Sequence, residues 1–318
     1  MPTRFPARTR KPVTPTEPKV TKETLPIADL TNLSPTMAIS SSSAPARQKT
    51  WRPDDVPPFP AVALKALNLM AGTDTSLIEL CNLIRPDVAF STEVLRIANS
   101  PLVAFSKDIT NVLQASMLLG FRRLRSVVIT VGLRAYLAQT FSPLLESCWR
   151  HSIACAIIGE RAAKACALDK EFAYTAGILH DIGRVVLAVS MPNEYARVVE
   201  RGADQPRGLL QVERDVCGID HCEVGGTLVR EWALPEAFSW ITSCHHDTDA
   251  HPSGEHCIVR QSCLLADALG FGVAGYRSMR SYAEILGDFP EPARNCLSRG
   301  EKELAAEIES QVTMIESA

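Results

Sequence analysis

His180 and Asp181 are neighbours in the run Ala176-Gly177-Ile178-Leu179-His180-Asp181-Ile182-Gly183-Arg184, which is otherwise apolar up to Arg184. An imidazole and a carboxylate taken out of water are costly unless something satisfies them, and a divalent metal satisfies both at once: the ring gives a nitrogen, the carboxylate an oxygen. An aspartate can also bridge two metals, the usual plan of a two-metal phosphohydrolase site. Other polar groups fall inside apolar helical runs, namely His151, His221, His245, His246 and Asp267. With His180 this set takes five of the seven histidines and no lysine. Imidazole and carboxylate together suit Fe, Mn, Zn, Ni or Mg, which leaves the metal open. Each residue has a plainer reading alone. His246 can complement the dipole at a helix end, and Asp267 can pair with an arginine. Seven such residues together point to a metal site built from facing helices.

The elements that must position these groups read as helices throughout; strand-like alternation is nearly absent. Pro60 opens a helix that ends at Gly72, and Ser76 with Glu79 has the form of a capping box for a second, stopping before Pro86. A third spans about 89–99. Thr110 is the expected cap of a fourth, ending at Gly120, and 121–137 is a fifth. After Ser142-Pro143 come an alanine-rich helix over 148–168 and a single helix over 171–190 that carries His180 and Asp181. Two short helices follow at 193–201 and 209–217. Asp220 and Glu223 cap a helix running to Trp232; Gly225 and Gly226 inside it imply close approach by another backbone. Pro235 starts a helix reaching His245-His246, 251–255 is a polar loop, and 258–269 is a helix carrying Asp267.

The whole chain sets bounds. At 318 residues and 46% hydrophobic it can bury one large core or two modest ones. A net charge of -3 gives no global attraction to nucleic acid or anionic membrane. No stretch reads as the roughly 18 apolar residues that span a bilayer, and the Pro- and Arg-rich start has no apolar core of a secretory signal. A cytoplasmic protein is expected. The 10 cysteines include no Cys-x-x-Cys pair, which suggests reduced thiols. Residues 1–50 are rich in Pro, Thr, Ser and basic side chains without apolar periodicity, so a disordered tail is expected there.

The motifs together resemble the HDOD family, a branch of the HD phosphohydrolase superfamily. The first part carries Pro57-Pro58-Phe59-Pro60, Ala98-Asn99-Ser100, and Ala115 to Gly120 followed by Phe121-Arg122-Arg123-Leu124. The second carries Trp149-Arg150-His151-Ser152, the 176–183 stretch, Asp220-His221-Cys222-Glu223-Val224-Gly225 and His245-His246. The resemblance implies an all-α fold of two helical lobes, the second an HD-superfamily bundle. The HDOD domain would cover 56–252, with a first lobe over 56–140 and an HD-like lobe over 143–252. Helices over 253–318 would complete or flank that lobe. It also implies a regulatory output role in bacterial signalling with a protein partner.

At the ligand positions the chain is similar to the related HD-GYP phosphodiesterases as well. His151, His180, Asp181, His221, His245, His246 and Asp267 each match a metal-ligand type there. Three departures stand out. The Gly-Tyr-Pro substrate loop is replaced by Asp247-Thr248-Asp249-Ala250-His251-Pro252, the usual lysine is Arg184, and a ligand glutamate is Ser147, with Glu146 beside it. The leading expectation is therefore a non-enzymatic interaction module that can hold a metal. The alternative is a metal-dependent phosphohydrolase for a nucleotide or cyclic dinucleotide, with Asp181 and Arg184 catalytic. Nucleic-acid binding through Arg122, Arg123 and Arg125 is weaker, because no aromatic residue interleaves with them.

Overall fold

The computed structural model describes residues 51–52, 56, 58–71, 76–99, 109–138, 142–202, 208–232, 234–247, 254–273 and 278–317. The expected tail over 1–50 and most of the segment replacing the Gly-Tyr-Pro loop lie outside them. Among the described residues every regular element is helical.

Four helices make the first lobe: α1 (Ala61–Ala71), α2 (Leu77–Ile84), α3 (Val88–Ala98) and α4 (Val112–Leu137). Ser76 and Glu79 form the expected capping box. The cap of α4 is Asn111, whose side chain accepts from the Gln114 N–H at 2.8 Å, and not Thr110. Thr110 sits one residue earlier and donates to the Gln114 side chain. The expected boundary between two helices survives as a break inside α4 at Gly120, where φ is +69°. Asn99, at the end of α3, accepts from the Ile109 N–H at 2.7 Å and donates to its carbonyl at 2.8 Å.

The second lobe is built on α5 (Pro143–Ala165), which starts earlier than its alanine-rich stretch because the Ser142 side chain caps it. Next come α6 (Lys170–Leu179), α7 (Ile182–Ser190), α8 (Pro192–Gly202), α9 (Leu209–Cys217), α10 (His221–Glu231), α11 (Ala237–Cys244) and α12 (Gly254–Ala266). A π-helical turn, Asp267–Phe271, extends α12. Three further helices, α13 (Tyr282–Gly287), α14 (Glu291–Leu297) and α15 (Glu301–Ser317), close the chain. The last is strapped to both lobes. Arg150 and Arg161 of α5 pair with Glu309, Glu316 and Glu307, while Arg96 and Arg134 of the first lobe donate to its last carbonyls.

The single helix expected over 171–190 is two. Asp181 leaves the helical region (φ -100°, ψ 16°) and the chain turns there. In a continuous helix, adjacent side chains diverge by about 100°. The break lets His180 and Asp181 enter one space. The two halves together, Lys170–Ser190, do reach membrane-spanning length and hydropathy, contrary to the sequence reading, but they are buried inside the fold.

Backbone proximity holds this junction. A side chain on Gly183 would place its Cβ 1.9 Å from the His221 carbonyl, and one on Gly177 would lie 2.5 Å from Ala156 Cα. Only glycine lets α7 sit on the start of α10 and α6 sit on α5. The lobes share a core in which Phe59 packs on Trp232 (ring centroids 4.6 Å apart) and beside Tyr136. Arg123 reaches from α4 to Glu160 (2.9 Å) and Glu171 (3.2 Å) and lies over Tyr174; Arg125 donates to the Met70 carbonyl, and Arg122 pairs with Asp169. The basic cluster is thus largely spent on joining helices.

Gly183→Ala and Gly177→Ala are each expected to cost about 3 kcal/mol or more, or to abolish folding, because backbone must move. Gly287→Ala, with nothing within 4 Å of the added carbon, is the control and should stay within about 0.5 kcal/mol of the parent in urea unfolding. Equal stability of all three variants would contradict the packing described.

Candidate metal centre

His180 ends α6 and Asp181 begins α7, so the turn between these helices delivers both. His151 comes from α5, His221 from the first position of α10, and His245 and His246 from the end of α11. Asp181, His180 and His221 are wholly buried, and His151 and His245 nearly so. His246 is partly exposed as a residue, but its Nε2 is buried.

The imidazoles share one orientation. His151 Nδ1 lies 3.1 Å from the Phe271 carbonyl, His180 Nδ1 2.8 Å from that of Gly177, and His245 Nδ1 2.8 Å from that of Ile241. A carbonyl only accepts, so each of these nitrogens carries a proton. His221 Nδ1 faces the Glu213 carboxylate at 2.6 Å, and Glu213 also accepts the His221 backbone N–H and the Tyr195 hydroxyl. Each Nε2 is left pointing inward. His221 Nε2 and His245 Nε2 lie 3.4 and 3.1 Å from Asp181 Oδ1; His151 Nε2 and His180 Nε2 both lie 3.7 Å from Oδ2. One carboxylate therefore faces two separate imidazole pairs, one with each oxygen.

Electrostatics explains why this cluster needs positive charge. Burial works to raise the Asp181 carboxyl, but Arg184, whose Nε is 3.3 Å from Oδ2, and the imidazoles hold it well below its ordinary range. Burial works to lower His221, but Glu213 holds it well above; His245 is raised by its bond to Asp181 against the same penalty. His180 and His246 are driven down by burial and neighbouring imidazoles. His151 Nε2 and His180 Nε2 face each other at 3.2 Å, where a proton or a cation must lie between the lone pairs. Asp181 Oδ2, His221 Nε2 and His246 Nε2 are buried with no hydrogen-bond partner among the described residues. The donor set and these atoms without hydrogen bonds, Oδ2 facing the Arg184 guanidinium and imidazole nitrogens, fit a divalent metal. Asp181, His221, His245 and His246 could hold one, and a second group of His151, His180 and Cys263 lies on the other side of Asp181.

Asp267 is buried, but it stands behind His151, its Oδ1 3.3 Å from Nδ1 on the outer side of the ring. Ser147 turns its hydroxyl back to the Leu144 carbonyl, and Glu146 lines a surface pocket with Arg134 and Glu316. Two residues escaped the sequence reading. Glu213 sits on the apolar face of α9 with Val212, Val216 and Cys217, and an acid at that phase was the available signal. Cys263 precedes Asp267 by one helical turn and gave no signal of its own among the other cysteines.

Glu213→Ala strands a buried imidazole and hydroxyl and is expected to cost about 3–5 kcal/mol. Tyr195→Phe, which removes one hydrogen bond, should cost about 1 kcal/mol. Urea unfolding measures both; a Glu213→Ala protein as stable as the parent would contradict the pairing.

Residues 56–248 match the model of the HDOD domain. An HDOD domain protein of unknown function from Geobacter sulfurreducens superposes with a TM-score of 0.67 at 27% identity, over 83% of this chain and 92% of that one. A protein from Shewanella amazonensis SB2B, provisionally named a phosphohydrolase, superposes with a TM-score of 0.61 at 21% identity, over 83% and 95%. An uncharacterized protein of Treponema pallidum (strain Nichols) is 26% identical over 203 residues, which is 63% of this chain and 39% of that protein, so the match spans about two fifths of its length. The chain belongs to the HDOD family.

Proposed function

We propose that this chain is a regulatory module whose second lobe holds a divalent metal at Asp181, and whose helices dock a partner protein in a signalling pathway. The observation that carries the metal reading is the common orientation of His151, His180, His221 and His245. Each is fixed through Nδ1 and presents Nε2 to Asp181, which is how neighbouring groups orient metal-binding histidines. His246 adds a further donor from the partly exposed side. Bound there, the metal would neutralise the carboxylate and supply Lewis acidity. Mostly nitrogen donors favour Zn, Fe, Mn or Ni over Mg, which prefers oxygen.

Support for a regulatory output comes from α10. Its first residue is His221 and its C-cap is Trp232, which packs on Phe59 of the first lobe. A change at the metal that moved α10 would reach the first lobe through that contact. A second reading, a metal-dependent phosphohydrolase for a nucleotide or cyclic dinucleotide, is favoured by Asp181 facing two imidazole pairs with its two oxygens, as a bridging carboxylate does. In that reading Arg184 would contact a phosphate oxygen. Its burial and its pairing with Asp181 favour the regulatory reading.

Elemental analysis of the full chain purified without chelator is expected to find about one metal per protein or more; less than about a tenth of an equivalent would sink the metal reading. Removing a metal held at ~100 times its Kd withdraws about 2.7 kcal/mol, so chelator should lower Tm by about 5–10 °C in the parent and leave Asp181→Ala unmoved. Glu213→Gln should weaken the metal by about 10- to 100-fold in chelator competition while the ligands stay in place. For the second reading, hydrolysis of a phosphodiester or cyclic dinucleotide by Mn- or Fe-loaded protein must vanish in Asp181→Ala. Activity that survives that change belongs to a contaminant.

A further inference from the structure

Cys263 lies on α12, 2% exposed, with its Sγ 3.7 Å from His151 Nε2. Asp267, one turn further on, addresses the Nδ1 of the same ring at 3.3 Å. The end of α12 and the π-helical turn that extends it therefore straddle His151, sulfur on the inward nitrogen and carboxylate on the outward one. The ligand atoms of His151, His180 and Cys263 all lie within 4.8 Å of one another. The same space receives Asp181 Oδ2, wholly buried, without a hydrogen-bond partner among the described residues, and 3.7 Å from both Nε2 atoms.

These spacings match a four-coordinate metal. Nitrogens at ~2.0–2.1 Å and a sulfur at ~2.3 Å in tetrahedral array are separated by about 3.4 Å (N to N) and about 3.6 Å (N to S). The structure has 3.2 Å between the two Nε2 atoms and 3.7 Å from Nε2 to sulfur.

We propose that Cys263 is a metal ligand, completing with His151, His180 and Asp181 Oδ2 a closed four-donor site for a thiophilic cation such as Zn²⁺ or Fe²⁺. The inference rests on the metal reading above and deepens it. As the sulfur–metal bond forms, the thiol proton leaves to solvent. A hydrolytic metal keeps one position for water, whereas a structural one takes all four donors from the protein. Cys263 fills the open position, so this half of the centre holds helices α5, α6 and α12 together and turns nothing over. Thiolate also selects against Mg²⁺ and Mn²⁺, which the oxygen-rich sites of phosphohydrolases accept.

The test uses the full chain, stripped and reloaded with Co²⁺. A thiolate-to-cobalt charge-transfer band is expected in the near ultraviolet for the parent and for Cys155→Ser. Cys155 lies one turn from His151, but its thiol bonds the Val259 carbonyl. Cys263→Ser should lose the band. Cobalt that binds without the band, or a band that survives in Cys263→Ser, overturns the role of Cys263 and leaves the metal reading standing. Failure of the parent to bind Co²⁺ or Zn²⁺ overturns both. If Cys263→Ser does not fold, X-ray absorption of the Zn-loaded parent decides without a variant: one sulfur at ~2.3 Å supports the proposal, and a shell of nitrogen and oxygen alone refutes it.

Discussion

The carboxylate of Asp181 has no contact with water, and the second lobe is arranged around that fact. An isolated buried charge would neutralise itself or unfold the protein. Here it is met by four inward nitrogens and one guanidinium. The histidines cannot turn away, because their outer nitrogens are held by three backbone carbonyls and by Glu213. The side chains are thus oriented before anything binds, which is the condition for a precise site. The cost is a pocket whose charge balance depends on protons or a cation among the imidazoles.

Satisfying that condition uses groups from far apart along the chain. Glycines at 177 and 183 bring the helices close enough, and the turn at 180–181 directs both residues inward. α9 contributes only the support of Glu213, itself bonded to Tyr195 of α8. The C-terminal helix α15 supplies none of the centre's donors but fastens α5, which carries His151, to the first lobe: Arg150 of α5 pairs with its glutamates, and Arg96 and Arg134 of the first lobe donate to its last carbonyls. Pairs of this kind contribute little singly near a surface, so the shared apolar core must supply most of the cohesion between lobes.

Much of this was legible in the residues. Capping boxes at Ser76 and Asp220 fixed two helix starts, and the Pro60 start, the Gly120 break and the close backbone approach at Gly225 followed from simple stereochemistry, while Gly226 meets only side chains. His151, His180, Asp181, His221, His245 and His246 were readable as polar groups in apolar helical runs, and the structure brings them together. What was not legible depends on distance in space. Continuous apolar periodicity across 171–190 hides a break whose cause, contact of Gly183 with α10, is tertiary. Asp267 has the right type and burial, yet it addresses the outer nitrogen of His151, a difference of one ring nitrogen that no spacing reports. Arg122, Arg123 and Arg125 look like one basic surface in one dimension, but Arg123 and Arg125 prove to be ties between helices, while Arg122 stays exposed beside Asp169.

The central claim is that four inward Nε2 atoms, with outer Nδ1 protons retained, await one kind of partner. Side-chain ¹⁵N NMR of the histidines during a Zn²⁺ titration tests it most directly. His151, His180, His221 and His245 are expected to shift to the metal-bound position at Nε2 while keeping the proton on Nδ1. His256, which packs against Phe172 and Trp240, should stay unchanged. Coordination through Nδ1, or four imidazoles indifferent to zinc, would contradict the account.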